Sequence, residues 1–422
     1  MAISKIILNG VTQMDVTDTT ATSATVYAGE YFYGADGEKT LGTGSGGGTV
    51  EAVEKDVNFI DDYDGIIVYS YTATEFANLS ELPVNPTHAG MTSQGWNWTL
   101  SDAKTYVASY GKLWIGQNYV TTDGKTKIGI YLEKGRLSPY LGLGVNGTAS
   151  IDWGDGSTAE TVTGTSLSTR VATSHTYSQD GLYEIAVELV SGSFALWGSS
   201  TYTLLSANKS TLSENRVYGN AIQYIRIGTD VSLSSSAFYG CTGLRNVTIP
   251  NSLIINSTYS SVFSNCYNLV SATISNNTTS IGYGFFMSCY GLKYISIPKE
   301  ITSIPNTFVS SCNGLRSISI SSDATSLAAS SFSGCYALSN LTIPSGITSL
   351  GTSAFLNCYG LGEMHFAPST PPTVSNSNTF NNLPTDCIIY VPYSADHSIL
   401  NNYKTESNYP DPNIYTYMEE SA

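Results

Sequence analysis

From Phe238 onward apolar residues recur in a fixed rhythm. Phe238, Cys241 and Leu244 fall three apart, as do Phe263, Cys266, Leu269 and Phe332, Cys335, Leu338. That spacing keeps the three on one side of a short helical turn. After the leucine the period drops to two. Val247 and Ile249, Ile295 and Ile297, Ile318 and Ile320, and Leu341 and Ile343 alternate with polar residues, as half-buried strands do. Pro250, Pro298 and Pro344 end these strands. A second apolar pair follows, Ile301 with Ile304 and Ile347 with Leu350, so each unit closes around an apolar interior.

The unit reads F-x-x-C-x-x-L-x-x-I-x-I-P, and its cysteines, Cys241, Cys266, Cys289, Cys312, Cys335 and Cys358, are spaced by 25, 23, 23, 23 and 23 residues. One coil cannot bury its apolar face alone, so the coils must stack as a solenoid. Phe238, Phe263, Phe286, Phe308, Phe332 and Phe355 complete the predicted core ladder with these cysteines. Three departures stand out. Phe308 lies four residues before its cysteine, Ala272 replaces a branched strand residue, and the coil after Phe380 has Leu383 where a cysteine is expected. The last marks a degenerate cap, with Cys387 outside the ladder.

The pattern resembles the BspA-type subclass of bacterial leucine-rich repeats over about Ala221 to Val391. The resemblance implies a mainly β fold, a solenoid with a short strand and a short helical turn per coil, and an adhesive role. Strand alternation puts polar side chains on the concave sheet in two rows. One is Asn246, Ser271, Tyr294, Ser317, Asn340 and Glu363, and the next is Thr248, Thr273, Ser296, Ser319, Thr342 and His365. Tyr267, Tyr290, Tyr336 and Tyr359, each following a ladder cysteine, form a candidate aromatic rail. Hydroxyl, amide and aromatic groups suit neutral glycans or protein surfaces, so both sets are candidate ligand positions. The plainer alternative is that they are Ser and Thr for solubility.

Neighbouring coils on the helical side are expected roughly 10 Å apart, beyond the ~7 Å Cα separation a disulfide tolerates. The cysteines therefore read as small buried hydrophobes. No C-x-x-C occurs, so neither zinc nor any other metal or cofactor is expected.

Upstream, residues 1–48 hold a predicted hairpin and a glycine linker, Gly42 to Gly48. The hairpin runs from Ala28 to Thr43 with a turn at Asp36-Gly37, and resembles attachment modules of phage tail and fibre proteins. Residues 49–147 read as an α+β connector. Asp62-Tyr63-Asp64-Gly65, Gln94-Gly95-Trp96-Asn97-Trp98 and Tyr110-Gly111-Lys112-Leu113 give it a resemblance to a module of tail-like proteins of gut bacteria. A helix is predicted over Ser101–Tyr110, and a hairpin over Tyr119–Leu132 turning at Asp123-Gly124. Trp96, Trp98 and Trp114 are candidates for core or domain-interface positions, or for a sugar platform. Asp61, Asp62 and Asp64 lack the twelfth-position carboxylate of an EF-hand and read as a solvated turn.

Residues 148–220 carry Trp153-Gly154-Asp155-Gly156, His175-Thr176-Tyr177 and Gly181-Leu182-Tyr183. They resemble a PKD-type immunoglobulin-like β-sandwich, which implies a structural role for Asp152, Asp155 and His175. The repeats are expected over 221–393 and a cap over 394–422.

Charged residues make up 12% of the chain and the formal charge is −15, which excludes a phosphate-neutralising nucleic-acid binder. No stretch approaches the ~20 apolar residues of a membrane span, and the start has a three-residue apolar run, short of a secretory signal. With four histidines and no G-x-S-x-G, H-E-x-x-H or phosphate loop, no enzyme is expected. The expectation is a phage or prophage virion protein, assembled in the host cytoplasm and released by lysis. It would bind a bacterial surface glycan or protein through the solenoid and other tail subunits through the N-terminal module, as a homo-oligomer. A bacterial cell-surface adhesin and a structural virion component without a receptor are the alternatives.

Overall fold

The computed structural model describes four strands within residues 1–51, and residues 52–198, 204–206, 218–253, 255, 257–413 and 415–420. β1 (Lys5–Leu8) pairs antiparallel with β2 (Val11–Asp15), and β3 (Tyr31–Tyr33) with β4 (Lys39–Leu41). The second pair comprises the two arms of the hairpin expected there; its turn and the glycine linker lie outside the described residues.

A small α/β module follows. It contains β5 (Val57–Asp61), β6 (Ile66–Tyr71), α1 (Ala73–Ala77), β7 (Met91–Trp96), α2 (Leu100–Tyr110) and β8 (Leu113–Thr121), with sheet order β6-β5-β8-β7. Thr99 caps α2 by accepting from Asp102 N, and Ala103, Tyr106 and Val107 face inward. Gly111 ends the helix at a φ of +79°. Val57, Phe59, Phe76, Trp96, Leu113 and Ile115 form the module's own core.

β9 (Thr126–Leu132) starts on the far side of the Asp123-Gly124 turn, where Gly124 N donates to Thr121 O. The hairpin expected here does not form. β8 pairs with β5 and β7, whereas β9 joins a different sheet. The first solenoid coil holds the turn, with Thr229 N donating to Gly124 O at 3.0 Å, so the two strands diverge.

β9 lies between β12 (Gly181–Leu196) and β14 (Ile222–Arg226) in a sheet ordered β11-β10-β12-β9-β14-β16. Here β10 is Tyr140–Asp152, β11 is Glu160–Ser174 and β16 is Asn246–Thr248. β13 (Leu205–Ser206) and β15 (Val231–Leu233) attach to β10 and β12. Leu141, Leu143, Val145, Ala149 and Ile151 of β10 are buried in the same continuous core as the solenoid's ladder. The expected boundary at 147/148 falls inside β10, and this region is joined to the repeats by hydrogen bonds and a shared core, as their N-terminal cap.

Its signature residues brace a turn. Asp152 Oδ1 accepts from Gly154 N (2.9 Å), Tyr177 OH donates to Trp153 O (2.9 Å), and His175 Nε2 lies 2.7 Å from Asp155 Oδ2. Hydrogen bonds from Ser157 and then His175 hold the Asp155 carboxyl down at about 2.

The solenoid's concave face is a run of parallel strands. It continues from β16 through β17 (Ser271–Thr273) and β18 (Tyr294–Ser296) to β20 (Asn340–Ile343), and the stretch 318–320, expected as a strand, does not form one. A second ladder, β19 (Ser326–Leu327), β21 (Ser349–Leu350) and β23 (Thr373–Val374), lines another side. β20 pairs in turn with β22 (Glu363–Phe366), β24 (Ile388–Val391) and, past α3 (Ser398–Thr405), β25 (Thr416–Glu419). The solenoid sheet therefore continues beyond residue 393.

The helical side differs from the expectation of helices roughly 10 Å apart. Coils here touch backbone to backbone. Phe263 N donates to Phe285 O and Phe286 N to Phe308 O, both at 2.9 Å. Asn265, Ser288 and Ser311 sit in the left-handed region at φ of 60–62°. Their N–H groups donate to Met287, Ser310 and Ser333 carbonyls of the next coil at 2.7–2.8 Å. That conformation turns each N–H along the solenoid axis.

All twelve ladder residues are fully buried. The cysteines are free thiols, and each from Cys266 to Cys358 donates S–H to a carbonyl of the preceding coil, for example Cys289 to Phe263 O at 3.0 Å and Cys312 to Phe286 O at 3.1 Å. A small hydrophobe with one weak donor is what the position requires.

Candidate functional site

The concave sheet is largely occupied by the chain's own α/β module. β8 and the Trp96–Trp98 segment lie across β17 and β18, and four module donors reach the same strand-end carbonyl in four successive coils. Asn118 Nδ2 donates to Ile249 O (3.0 Å), Asn97 Nδ2 to Ile274 O (3.2 Å), Trp98 Nε1 to Ile297 O (3.0 Å) and Tyr106 OH to Ile320 O (2.7 Å). The module thereby satisfies a buried backbone acceptor in each of these coils.

The two polar rows meet the same module. Ser271 Oγ donates to Asp62 Oδ1 (2.6 Å), Ser296 Oγ to Trp114 O (2.8 Å), and Ser317 Oγ accepts from Trp114 Nε1 (2.8 Å). Ser319 Oγ accepts from Trp114 N (3.3 Å), and Asn246 Nδ2 donates to Tyr63 O (2.7 Å). Tyr294 stacks on Trp114 at 5.1 Å. Thr273 faces Gly116 so closely that a Cβ added there would stand 1.8 Å from its hydroxyl. Thr248, Ser271, Thr273, Tyr294, Ser296, Ser317 and Ser319 are all buried. This corrects the reading of those positions as an open ligand surface: the hydroxyls of Ser271, Ser296, Ser317 and Ser319 are taken up by Asp62, Trp114 and module backbone, and the others are covered. Trp98 and Trp114 are buried at this interface and Trp96 in the module core, which also removes the sugar platform.

The Asp61–Asp64 turn is likewise not solvated. Asp61 and Asp62 are buried. Asp61 binds His88 Nε2 (2.7 Å), Tyr119 OH (2.9 Å) and Tyr63 N (3.0 Å). Burial pushes the Asp62 carboxyl up to about 7, with Ser271 pulling it back and Asp61 adding to the rise. Asp61, Asp64 and His88 bring ligand-type atoms within 4.8 Å of one another, but both Asp61 oxygens are already engaged, so the group is an internal latch.

Past Ser319 the module stands off the strands and the sheet opens. Asn340, Thr342, Glu363 and His365 line a groove of about 730 Å³, walled by the C-terminal end of α2 and by Tyr390, Met418, Glu419 and Glu420. His365 stacks on Tyr390 with ring centres 4.4 Å apart. Tyr390, Met418 and the two glutamates were not among the sequence candidates. The alternation in Ile388–Val391 and Thr416–Glu419 was the signal that two further rungs extend the sheet. On the outer edge the four tyrosines stand exposed as two pairs, Tyr267 with Tyr290 at 4.8 Å and Tyr336 with Tyr359 at 5.3 Å. Asn313 interrupts them in the intervening coil.

Stacked coils with a parallel concave sheet and a buried Phe-Cys-Leu ladder define a leucine-rich-repeat protein. Residues 210–335 and 279–403 match the BspA type Leucine rich repeat region, in 6 copies. Among curated proteins none matches. Solved structures similar to it include a leucine rich cell surface protein of Faecalibacterium prausnitzii, at 22% identity and TM-score 0.29, covering 39% of this chain and 55% of the other. A leucine-rich repeat protein of Bacteroides ovatus shows 19% identity and TM-score 0.25, covering 46% and 73%. The Leucine Rich Repeat protein of T. pallidum shows 17% and 0.23, covering 43% and 81%. The chain thus spans about half the length of the first of these. Among the described residues no helix is long and apolar enough to cross a membrane.

Proposed function

We propose that this chain is a non-enzymatic recognition protein that grips a bacterial surface glycan or protein through the uncovered end of its concave sheet. The observation that carries the reading is the groove. The module covers the polar rows as far as Ser319 and leaves Asn340, Thr342, Glu363 and His365 facing a cleft of about 730 Å³. A concave, partly apolar cleft with a few convergent polar groups is the usual form of a binding site. The adhesive role implied by the BspA-type resemblance agrees with it. A phage or prophage tail is the proposed setting, supported by the resemblance of the 28–43 segment to tail attachment modules and by the antiparallel pairing of β3 with β4. Display on a bacterial cell is the second reading, favoured by the BspA-type match itself.

Retention of the full chain on host cell envelopes tests the site. Thr342→Trp, which fills the groove, should abolish retention, while Leu182→Trp on the exposed face of the cap should not. Equal retention of both variants would defeat the groove. Sedimentation of the native protein with tail particles or with cell envelopes separates the two settings.

A further inference from the structure

The groove has one-sided charge. Asp56, Glu363, Glu419 and Glu420 line it, with Lys112 as the opposing ammonium among the lining residues. His365 stands between two of these carboxylates, its Nδ1 2.8 Å from Glu420 Oε1 and its Nε2 3.4 Å from Glu363 Oε2. The lining residues thus hold more carboxylate than lysine or arginine groups. The flat stack of His365 on Tyr390 forms an aromatic floor beside those carboxylates, a surface that favours cations.

A second observation concerns the backbone. β25, which carries Met418 and Glu419 into the groove wall, pairs with β24 on one side and with no other described strand. Its open edge can accept an extended chain.

Resting on the reading of the groove as the recognition surface, we propose that its ligand is an extended basic peptide segment of a protein partner. The peptide enters over β25, and a lysine or arginine side chain meets the carboxylate oxygens of Glu363 and Glu420 that His365 leaves free. The overall charge of −15 steers such a segment from a distance. The carboxylate pair gives the directed, charge-assisted hydrogen bonds that fix it.

Fluorescence anisotropy with labelled hexalysine and the full chain tests this, with hexaglutamate and glucosamine oligomers as comparison probes. Hexalysine should bind, weakening with salt, and the E363Q/E420Q variant should lose at least about 10-fold in affinity. The E54Q/D180N variant, which removes the same charge from exposed sites elsewhere, should bind as the parent does. Equal weakening in both variants, or no hexalysine binding, overturns the proposal. Binding of glucosamine oligomers without hexalysine also overturns it, because the cation would then come from a sugar. Envelope retention read beside these results separates the two claims. Retention lost in Thr342→Trp without hexalysine binding leaves the groove as the recognition site and removes the basic peptide.

Discussion

Asp62 shows how much one carboxyl matters at the buried face of the module. Its folded pKa of about 7 lies above the ordinary carboxylate range, so the docked protein binds this proton more tightly than the unfolded chain does. Its contribution is therefore fully present at acid pH and is lost as pH rises from about 4 toward 7, at ~1.4 kcal/mol per unit. Asp62→Asn keeps an acceptor for Ser271 and removes the charge. The variant should unfold at higher temperature than the parent at pH 8, with the gap closing toward pH 4; parallel melting profiles across that range would contradict the account. The thiols make a second prediction at this scale. Burial pushes the Cys241 and Cys358 thiols up to about 12, and the other rungs are raised as well. The thiolate is the reactive form, so the native protein should show no fast reaction of its ladder thiols with a thiol reagent, and all should react once it is unfolded.

At the scale of the element, β8 is the strand that commits the module to the solenoid. Gly116 is its closest approach, over Thr273. Gly116→Ala should force β8 away from β17 and cost on the order of 1–3 kcal/mol, the range for overpacking, visible as a lower unfolding temperature and a changed Trp114 emission. Unchanged emission and stability would mean that the contact can slide. The solenoid turns follow a different rule. Ser288 and Ser311 adopt left-handed backbone, so a β-branched residue there should be destabilising by roughly 1–2 kcal/mol, whereas the Gly334 position already carries the unstrained residue. Expectations for elements were most accurate where a single local period decides. The helix expected over 101–110 and the strands around Ile295 and Leu341 are of that kind. They failed where the partner strand is remote, as when β8 and β9 part after a turn that looks like a hairpin.

For the whole molecule, the cap sheet, the repeats and the module cannot be treated as beads on a string. β10 shares a core with the coils, and the module spends its aromatic and amide donors on coil carbonyls. Hydrogen exchange should therefore show amides of β8 and of β17 and β18 protected together. Trp98→Phe, which deletes the donor to Ile297 O, should raise exchange in both at once by about one hydrogen bond's worth of stability, ~1 kcal/mol. Independent exchange in the two elements would deny the coupling.

Residue types and their spacing determined the solenoid by themselves, because a coil of 23 residues with an inward Phe, Cys and Leu has one way to bury them, against copies of itself. Which polar residues remain free for a partner was decided by tertiary structure alone. Ser296 and Thr342 are equivalent in the repeat and indistinguishable by pattern, yet the first lies buried under Trp114 while the second lines the groove. Exposure of a half-buried strand depends on what crosses its outer face. Here that is a segment nearly two hundred residues away in the chain, whose docking rests on matched hydrogen bonds and close backbone approach that no local period encodes.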